Sequence, residues 1–140
     1  MSAEPWASFI SVEAVVQIHK DCVARFGGDQ TESPLRGCVE RSLGAAWNAE
    51  LYSEDTDAVK GLCFAGCLLY YLAKNNCFVD GNKRVGWASC MEVLGKLGLT
   101  IEATEEEGQE FCLAMLSPDS AVARNAIDVA GWLAPRLIAL

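Results

Sequence analysis

Hydrophobic residues recur at helical spacing along most of this chain. The longest apolar run covers about residues 58–73 and is apolar on almost every side. A second run follows it, with Val85, Ala88, Met91 and Leu94 on one helical face. Spacing of this kind predicts α-helices, and a helix that is apolar all round is expected to lie in a core.

Caps and helix breakers mark the ends of the other predicted helices. Ser and Thr are preferred N-caps, Gly commonly ends helices, and Pro is favoured at the first helical position. Such signals lie at Ser11, Gly27-Gly28, Ser33-Pro34, Thr104 with Glu107, and Ser117-Pro118. Residues 99–102 are expected to form an extended link, and Trp6 and Phe9 to dock an N-terminal arm. The pattern predicts an all-α bundle of about six helices in a single domain, residues 1–140.

A dense polar turn separates these two predicted helices. Asp80-Gly81 is a turn signal, because Gly adopts a positive φ without a Cβ clash. Asn82, Lys83 and Arg84 then open the second helix, whose first N–H groups are unpaired and carry positive potential. Two cations at a helix start favour phosphate, and a carboxylate beside them suits Mg²⁺. The turn therefore predicts an anion site for a nucleotide with Mg²⁺.

An ordinary solvated connection is the alternative for this turn, with Asp80 or Asn82 acting only as a helix cap. Two features favour the binding site. Phe78 lies within the turn as an apolar anchor, and the helix before the turn is the most hydrophobic of the chain.

Composition and charge narrow the class of protein. Of the 140 residues, 51% are hydrophobic and 21% are charged, which is typical of a globular domain. The net charge of −8 disfavours direct binding of nucleic acid, whose phosphates would be repelled. No signal-peptide pattern is present, and no run approaches the roughly 18 apolar residues of a membrane span. A cytoplasmic protein without membrane contact is expected.

The chain has seven cysteines and a single histidine. The odd cysteine count and the apolar surroundings favour buried free thiols over disulfides. Cys77 lies beside the anion site; a small apolar filler is favoured there over an exposed, reactive thiol. His19 lies on the apolar face of the first helix, where a hydrogen-bonded core residue is favoured. A catalytic role would require His19 to lie near Asp80.

The sequence Phe78-Val79-Asp80-Gly81-Asn82-Lys83-Arg84 resembles the F-x-D-G-N-K-R part of the Fic/Doc family signature. Lys at position 83, rather than Gly, resembles the Doc (death-on-curing) branch. The segment Arg25-Phe26-Gly27-Gly28 and residues 35–47 are also similar to that branch. The resemblance implies that Asp80 coordinates Mg²⁺ and that Phe78 packs the loop. It also implies that Gly81, Asn82, Lys83 and Arg84 bind the phosphates of ATP, with Arg84 offsetting transition-state charge.

One position departs from the signature. The family has a histidine two residues before the Phe, and that histidine is the general base. Here the position is Asn76, whose amide cannot take a proton from a hydroxyl. Three explanations remain open: a toxin disabled by substitution, a natural binding protein without turnover, or, less favoured, a different base.

The function implied by the resemblance is that of a toxin in a toxin–antitoxin module. Doc-type toxins transfer phosphate from ATP to a Thr of elongation factor Tu and block translation. An antitoxin protein and a translation factor would then be the partners. The alternatives are a catalytically dead nucleotide-binding protein of the Fic fold, or a protein that transfers AMP. Residues 48–57 are the candidate for a target-holding flap, with a solvated acidic loop at least as well supported.

Overall fold

The computed structural model describes residues 6–28, 36–48, 57–117 and 125–140. Six α-helices lie within these ranges: α1 (Val12–Phe26), α2 (Arg36–Asn48), α3 (Asp57–Asn75), α4 (Asn82–Lys96), α5 (Glu105–Leu116) and α6 (Ala126–Leu133). Two short strands, β1 (Leu99–Ile101) and β2 (Leu137–Ala139), and a 3-10 turn at Ala134–Arg136 complete the described elements. The predicted all-α class is confirmed.

Helix α3 is the centre of the bundle and packs against α2, α4 and α6. Its sequence is apolar on nearly every side, so a central position removes the most apolar surface from water. Phe64, Leu68, Leu69 and Leu72 are accordingly almost fully buried. Helix α4 lies especially close, because a Cβ at Gly86 would lie 3.0 Å from the carbonyl oxygen of Leu69. This contact fixes the start of α4, where the polar turn lies.

The predicted apolar face of α4 is only partly right. Val85 and Leu94 are fully buried, but Ala88 and Met91 are only half-buried. The buried face instead includes these residues: Ser89, Cys90 and Val93. The helix is turned in this way because one side packs on α3 and another faces a cavity described below.

Several predicted helix ends are confirmed. The Ser11 hydroxyl accepts a hydrogen bond from the Ala14 N–H, and Gly27 is the C-cap of α1. Thr104 and Glu107 form the reciprocal capping box that begins α5. Ser117 is the C-cap of α5. The predicted start at Ser33-Pro34, the residues that follow Ser117, and most of the candidate flap at 48–57 lie outside the described residues.

The chain ends contribute to the body of the fold. Trp6 is buried and the Phe9 ring packs against Trp47 and Phe64, which confirms the predicted docking of the N-terminal arm. The extended link after α4 is strand β1, which pairs antiparallel with β2 near the C-terminus. The sequence pattern predicts no partner strand there, because three-residue strands carry too few positions for an alternation signal.

The prediction that all cysteines are free thiols is wrong for one pair. Cys38 on α2 and Cys77 in the turn form a disulfide across a sequence separation of 39 residues. Both are buried, so Cys77 is neither an exposed thiol nor a simple filler. Sequence spacing did not reveal the pair because no local motif relates the two positions. No other disulfide forms among the cysteines in the described ranges.

Candidate functional site

A cavity of about 550 Å³ lies between α1, α4 and α5, beside the polar turn. Its wall from α1 and the turn consists of Ile18, Asp21, Cys22, Arg25, Phe26, Asp80 and Gly81. Its wall from α4 and α5 consists of Asn82, Lys83, Arg84, Trp87, Ala88, Glu92, Glu105, Gly108, Gln109, Cys112 and Leu113. The cavity lining therefore includes charged and polar side chains as well as aromatic and aliphatic ones.

The side chain of Asn82 holds the turn in shape. Its Oδ1 accepts a hydrogen bond from the Phe78 N–H at 3.0 Å, and its Nδ2 donates to the Phe78 carbonyl at 2.9 Å. Both polar atoms of the amide are thus used within the loop. A phosphate contact from Asn82 would accordingly come from its backbone N–H.

The start of α4 faces the cavity without a capping side chain. Gly81 is the N-cap, with φ of +79°, and it makes no side-chain hydrogen bond that would cap the first turn. This left-handed conformation is one that Gly adopts freely, as the Asp80-Gly81 turn signal predicted. The N-terminus of a 15-residue helix with no side-chain cap is a favourable position for an anion.

Two arginines share one aromatic ring on the cavity wall. The Arg84 guanidinium lies 4.4 Å from the centroid of the Phe26 ring, and that of Arg25 lies 4.9 Å from it. Arg25 also lies 3.9 Å from a Glu105 carboxylate oxygen, a solvent-exposed pair that contributes little stability. The contact with the Phe26 ring holds the Arg84 guanidinium against the cavity wall, near the start of α4.

The charges around the cavity nearly balance. Three cations line it, from Arg25, Lys83 and Arg84. Four carboxylates also line it: Asp21, Asp80, Glu92 and Glu105. A polyphosphate would therefore bind better together with a divalent cation than alone.

The donor set suits Mg²⁺ better than a metal that needs a full protein cage. No group of three or more His, Cys, Asp or Glu side chains converges on a metal position in the described ranges. Mg²⁺ usually keeps several waters and binds one or two carboxylates together with substrate phosphates. Asp80 is the carboxylate nearest the start of α4, so it fits that role.

The two thiols on the cavity wall are protonated. Burial raises the pKa of Cys22, an effect that the nearby Arg84 charge only partly offsets. Burial raises the pKa of Cys112 to about 11, against a smaller lowering by Lys83. A protonated thiol is a poor nucleophile. These side chains therefore act as apolar wall.

The structure brings part of the predicted site together. Asp80, Gly81, Asn82, Lys83 and Arg84 all line the cavity. Two other positions do not line it. Phe78 is buried behind the turn, and Asn76 is solvent-exposed with a left-handed φ of +52°.

Sequence reasoning missed the wall that α1 and α5 contribute. Arg25 and Phe26 on α1, and Gln109 and Leu113 on α5, come from outside the motif. The only available sequence signal was the Arg25-Phe26-Gly27-Gly28 segment at the end of α1. Nothing in the sequence of α5 indicated that it would close one side of the cavity.

Comparison with known families gives one match. The model of the family described as Fic/DOC matches residues 9–94, which include α1 to α3 and most of α4. No curated protein and no solved structure matches the chain significantly.

Proposed function

The chain belongs to the Fic/DOC family, and on this premise we propose that it is a Doc-branch protein that binds ATP with Mg²⁺ in the cavity. One observation carries the proposal. The uncapped start of α4, Lys83, Arg84 and Asp80 all line one cavity. These are the groups that a bound nucleotide triphosphate with its metal requires.

Each residue in the cavity takes a role suited to its chemistry. The N–H groups of Asn82 and Lys83 bind phosphate oxygens, together with the Lys83 ammonium group. The N–H of Gly81, which the resemblance also assigns to phosphate, instead donates to Oδ1 of Asp80. Arg84, restricted by its stacking on Phe26, contacts a phosphate through two N–H groups and offsets negative charge as it develops. Asp80 would hold Mg²⁺, which when bound neutralises phosphate charge.

Asn76 leaves this protein without the family's general base. A carboxamide does not accept a proton near neutral pH, so nucleotide binding would persist while transfer is strongly impaired. The exposed position of Asn76 away from the cavity wall supports binding with little turnover. Transfer of AMP is the less favoured alternative, since relatives that transfer AMP have Gly where this chain has Lys83.

Titration calorimetry tests the binding proposal. ATP with Mg²⁺ is expected to bind to the unmodified chain. Arg84→Ala is expected to weaken binding by about 1.5–3 kcal/mol, because it removes charge-assisted hydrogen bonds to phosphate. ATP is expected to bind more tightly in a buffer with Mg²⁺ than in one with EDTA, and Asp80→Ala is expected to remove most of this difference.

Arg36→Ala is the matched control for these variants. Its guanidinium pairs with Glu13 at 2.8 Å on the surface and does not line the cavity. This variant should therefore bind ATP as the unmodified chain does. Absence of heat of binding with the unmodified chain, at protein concentrations sufficient for micromolar affinity, would contradict the proposal.

We further propose that the protein acts in the cytoplasm as the toxin component of a toxin–antitoxin pair. No helix in the described ranges is long and apolar enough to cross a membrane. Leu113 lines the cavity and is 61% exposed, a suitable contact for an amphipathic helix of an antitoxin. With a net charge of −8, a neutral or basic partner segment is expected.

Thermal unfolding tests the antitoxin proposal. The protein encoded by the neighbouring reading frame is expected to raise the melting temperature of this chain, because it binds only the folded state. Leu113→Asp should reduce that rise, because it places a charge on the proposed apolar contact. If the neighbouring product leaves the melting temperature unchanged, the toxin–antitoxin role is contradicted while the nucleotide proposal stands.

A further inference from the structure

The only histidine of the chain reaches the motif turn from behind the cavity. His19, on the buried face of α1, is 6% exposed. Its Nε2 lies 3.1 Å from the carbonyl oxygen of Asp80, across a sequence separation of 61 residues. Its ring stacks on Phe78, with centroids 4.1 Å apart and planes 13° apart. The imidazole thus contacts the turn at two places, the Asp80 carbonyl and the Phe78 ring.

The hydrogen-bond partner of Nε2 shows which atom is the donor. A backbone carbonyl carries no proton, so it can only accept a hydrogen bond. Nε2 must therefore carry the hydrogen and donate it to the Asp80 oxygen. His19 does not line the cavity, so it is not placed to take a proton from a substrate hydroxyl.

The hydrogen bond continues through the next peptide group. The Asp80 carbonyl and the Gly81 N–H belong to one planar unit, in which they point in opposite directions. The Gly81 N–H donates to Oδ1 of Asp80 at 2.9 Å. By holding the carbonyl, His19 fixes the direction in which this N–H points, and consecutive hydrogen bonds of this kind polarise one another.

The other carboxylate oxygen of Asp80 is bounded by the end of α1. A Cβ placed on Gly28 would lie 2.9 Å from Oδ2 of Asp80, closer than real contacts allow. Gly28 also has a φ of +126°, which favours glycine. Helix α1 and the Gly28 that follows it therefore constrain Asp80 at its carbonyl and at its carboxylate.

We infer that His19 is a positioning residue for Asp80. By donating from Nε2 to the Asp80 carbonyl, it sets the orientation of the Asp80 carboxylate through the Asp80–Gly81 peptide. The inference rests on the proposed function in one respect, namely that this carboxylate holds the Mg²⁺ of a bound nucleotide. Partners that orient metal ligands typically change metal affinity about 10–100-fold when they are removed.

The first experiment needs no nucleotide. Because the chain has one histidine, long-range ¹⁵N NMR of the imidazole assigns its tautomer without ambiguity, at a pH where the ring is neutral. The proton is expected on Nε2, and the amide resonance of Gly81 should shift in His19→Leu. A proton on Nδ1, or an unchanged Gly81 resonance, would overturn the inference.

The second experiment compares ATP affinity in Mg²⁺ and in EDTA for three variants. His19→Leu keeps apolar volume and removes the donor, and it should reduce the Mg²⁺-dependent gain in affinity about 10–100-fold. His19→Gln keeps an N–H donor and should recover part of that gain. Val15→Ala leaves a cavity in the same buried face of α1, so it should lower the melting temperature without altering the Mg²⁺ dependence.

The outcomes separate a positioning role from a purely structural one. A fall in melting temperature with an unchanged Mg²⁺ dependence in His19→Leu would overturn the inference. If His19→Leu does not fold, His19→Gln and the tautomer assignment decide. Failure of the unmodified chain to bind ATP in either buffer would overturn the proposed function, whereas the Gly81 resonance would still test the contact between His19 and Asp80.

Discussion

Replacing Asn76 with histidine is expected to make this chain transfer phosphate from ATP to a protein hydroxyl, about 10²–10⁴-fold faster than the unmodified chain. The attacking hydroxyl must lose a proton as it forms the bond to phosphorus. Imidazole accepts a proton near neutral pH, and a carboxamide does not. The phosphate-binding and metal-binding groups of the proposed site are already present, so only the base is missing.

The backbone at position 76 should tolerate the change. Asn76 has a φ of +52°, and His is among the few residues besides Gly that are enriched in this left-handed region. The side chain is exposed, so the larger ring meets no buried neighbour. Since Asn76 does not line the cavity, the new imidazole must reach the bound nucleotide from the rim of the turn.

Labelled ATP and mass spectrometry of cell extracts measure this gain. Added phosphate on a translation factor would support the Doc-branch proposal, and added AMP would favour the alternative activity. Asn76→His combined with Asp80→Ala should be inactive, and Asn76→Gln tests a larger side chain that is not a base. If Asn76→His alone is as inactive as the double variant, the protein is a nucleotide-binding protein without transfer activity.

Reducing the bond between Cys38 and Cys77 is expected to lower the free energy of unfolding by about 2–4 kcal/mol. The bond closes a loop across a separation of 39 residues and ties α2 to the motif turn. Reduction lets the unfolded chain explore more conformations, which favours unfolding. Denaturant titration with and without a thiol reductant measures the change.

A double variant, Cys38→Ala with Cys77→Ala, provides the control. Its stability should not depend on the reductant, because no other disulfide forms among the described residues. If reductant leaves the unmodified chain as stable as before, and peptide mapping finds no Cys38–Cys77 link, the disulfide does not form in solution.

The sequence by itself determined the helices and the polar residues of the turn that line the cavity. The run at 58–73 is apolar on almost every side, so α3 had to be central, because any other position leaves apolar surface in water. The residues from Asp80 to Arg84 are consecutive, so a turn and one helix start are enough to group them. Local backbone geometry is enough to bring these residues together, and the sequence pattern predicts such local geometry well.

Only the tertiary structure decided what meets that turn. The contact of His19 with Asp80 spans 61 residues, and the stacking of Arg84 on Phe26 joins α4 to α1. No local pattern encodes such contacts, because they depend on how α1 and α4 pack side by side. The same packing turned α4 so that Ala88 faces the cavity instead of the core. A helical stripe shows that a face is buried, whereas the partner helices decide how that face is oriented.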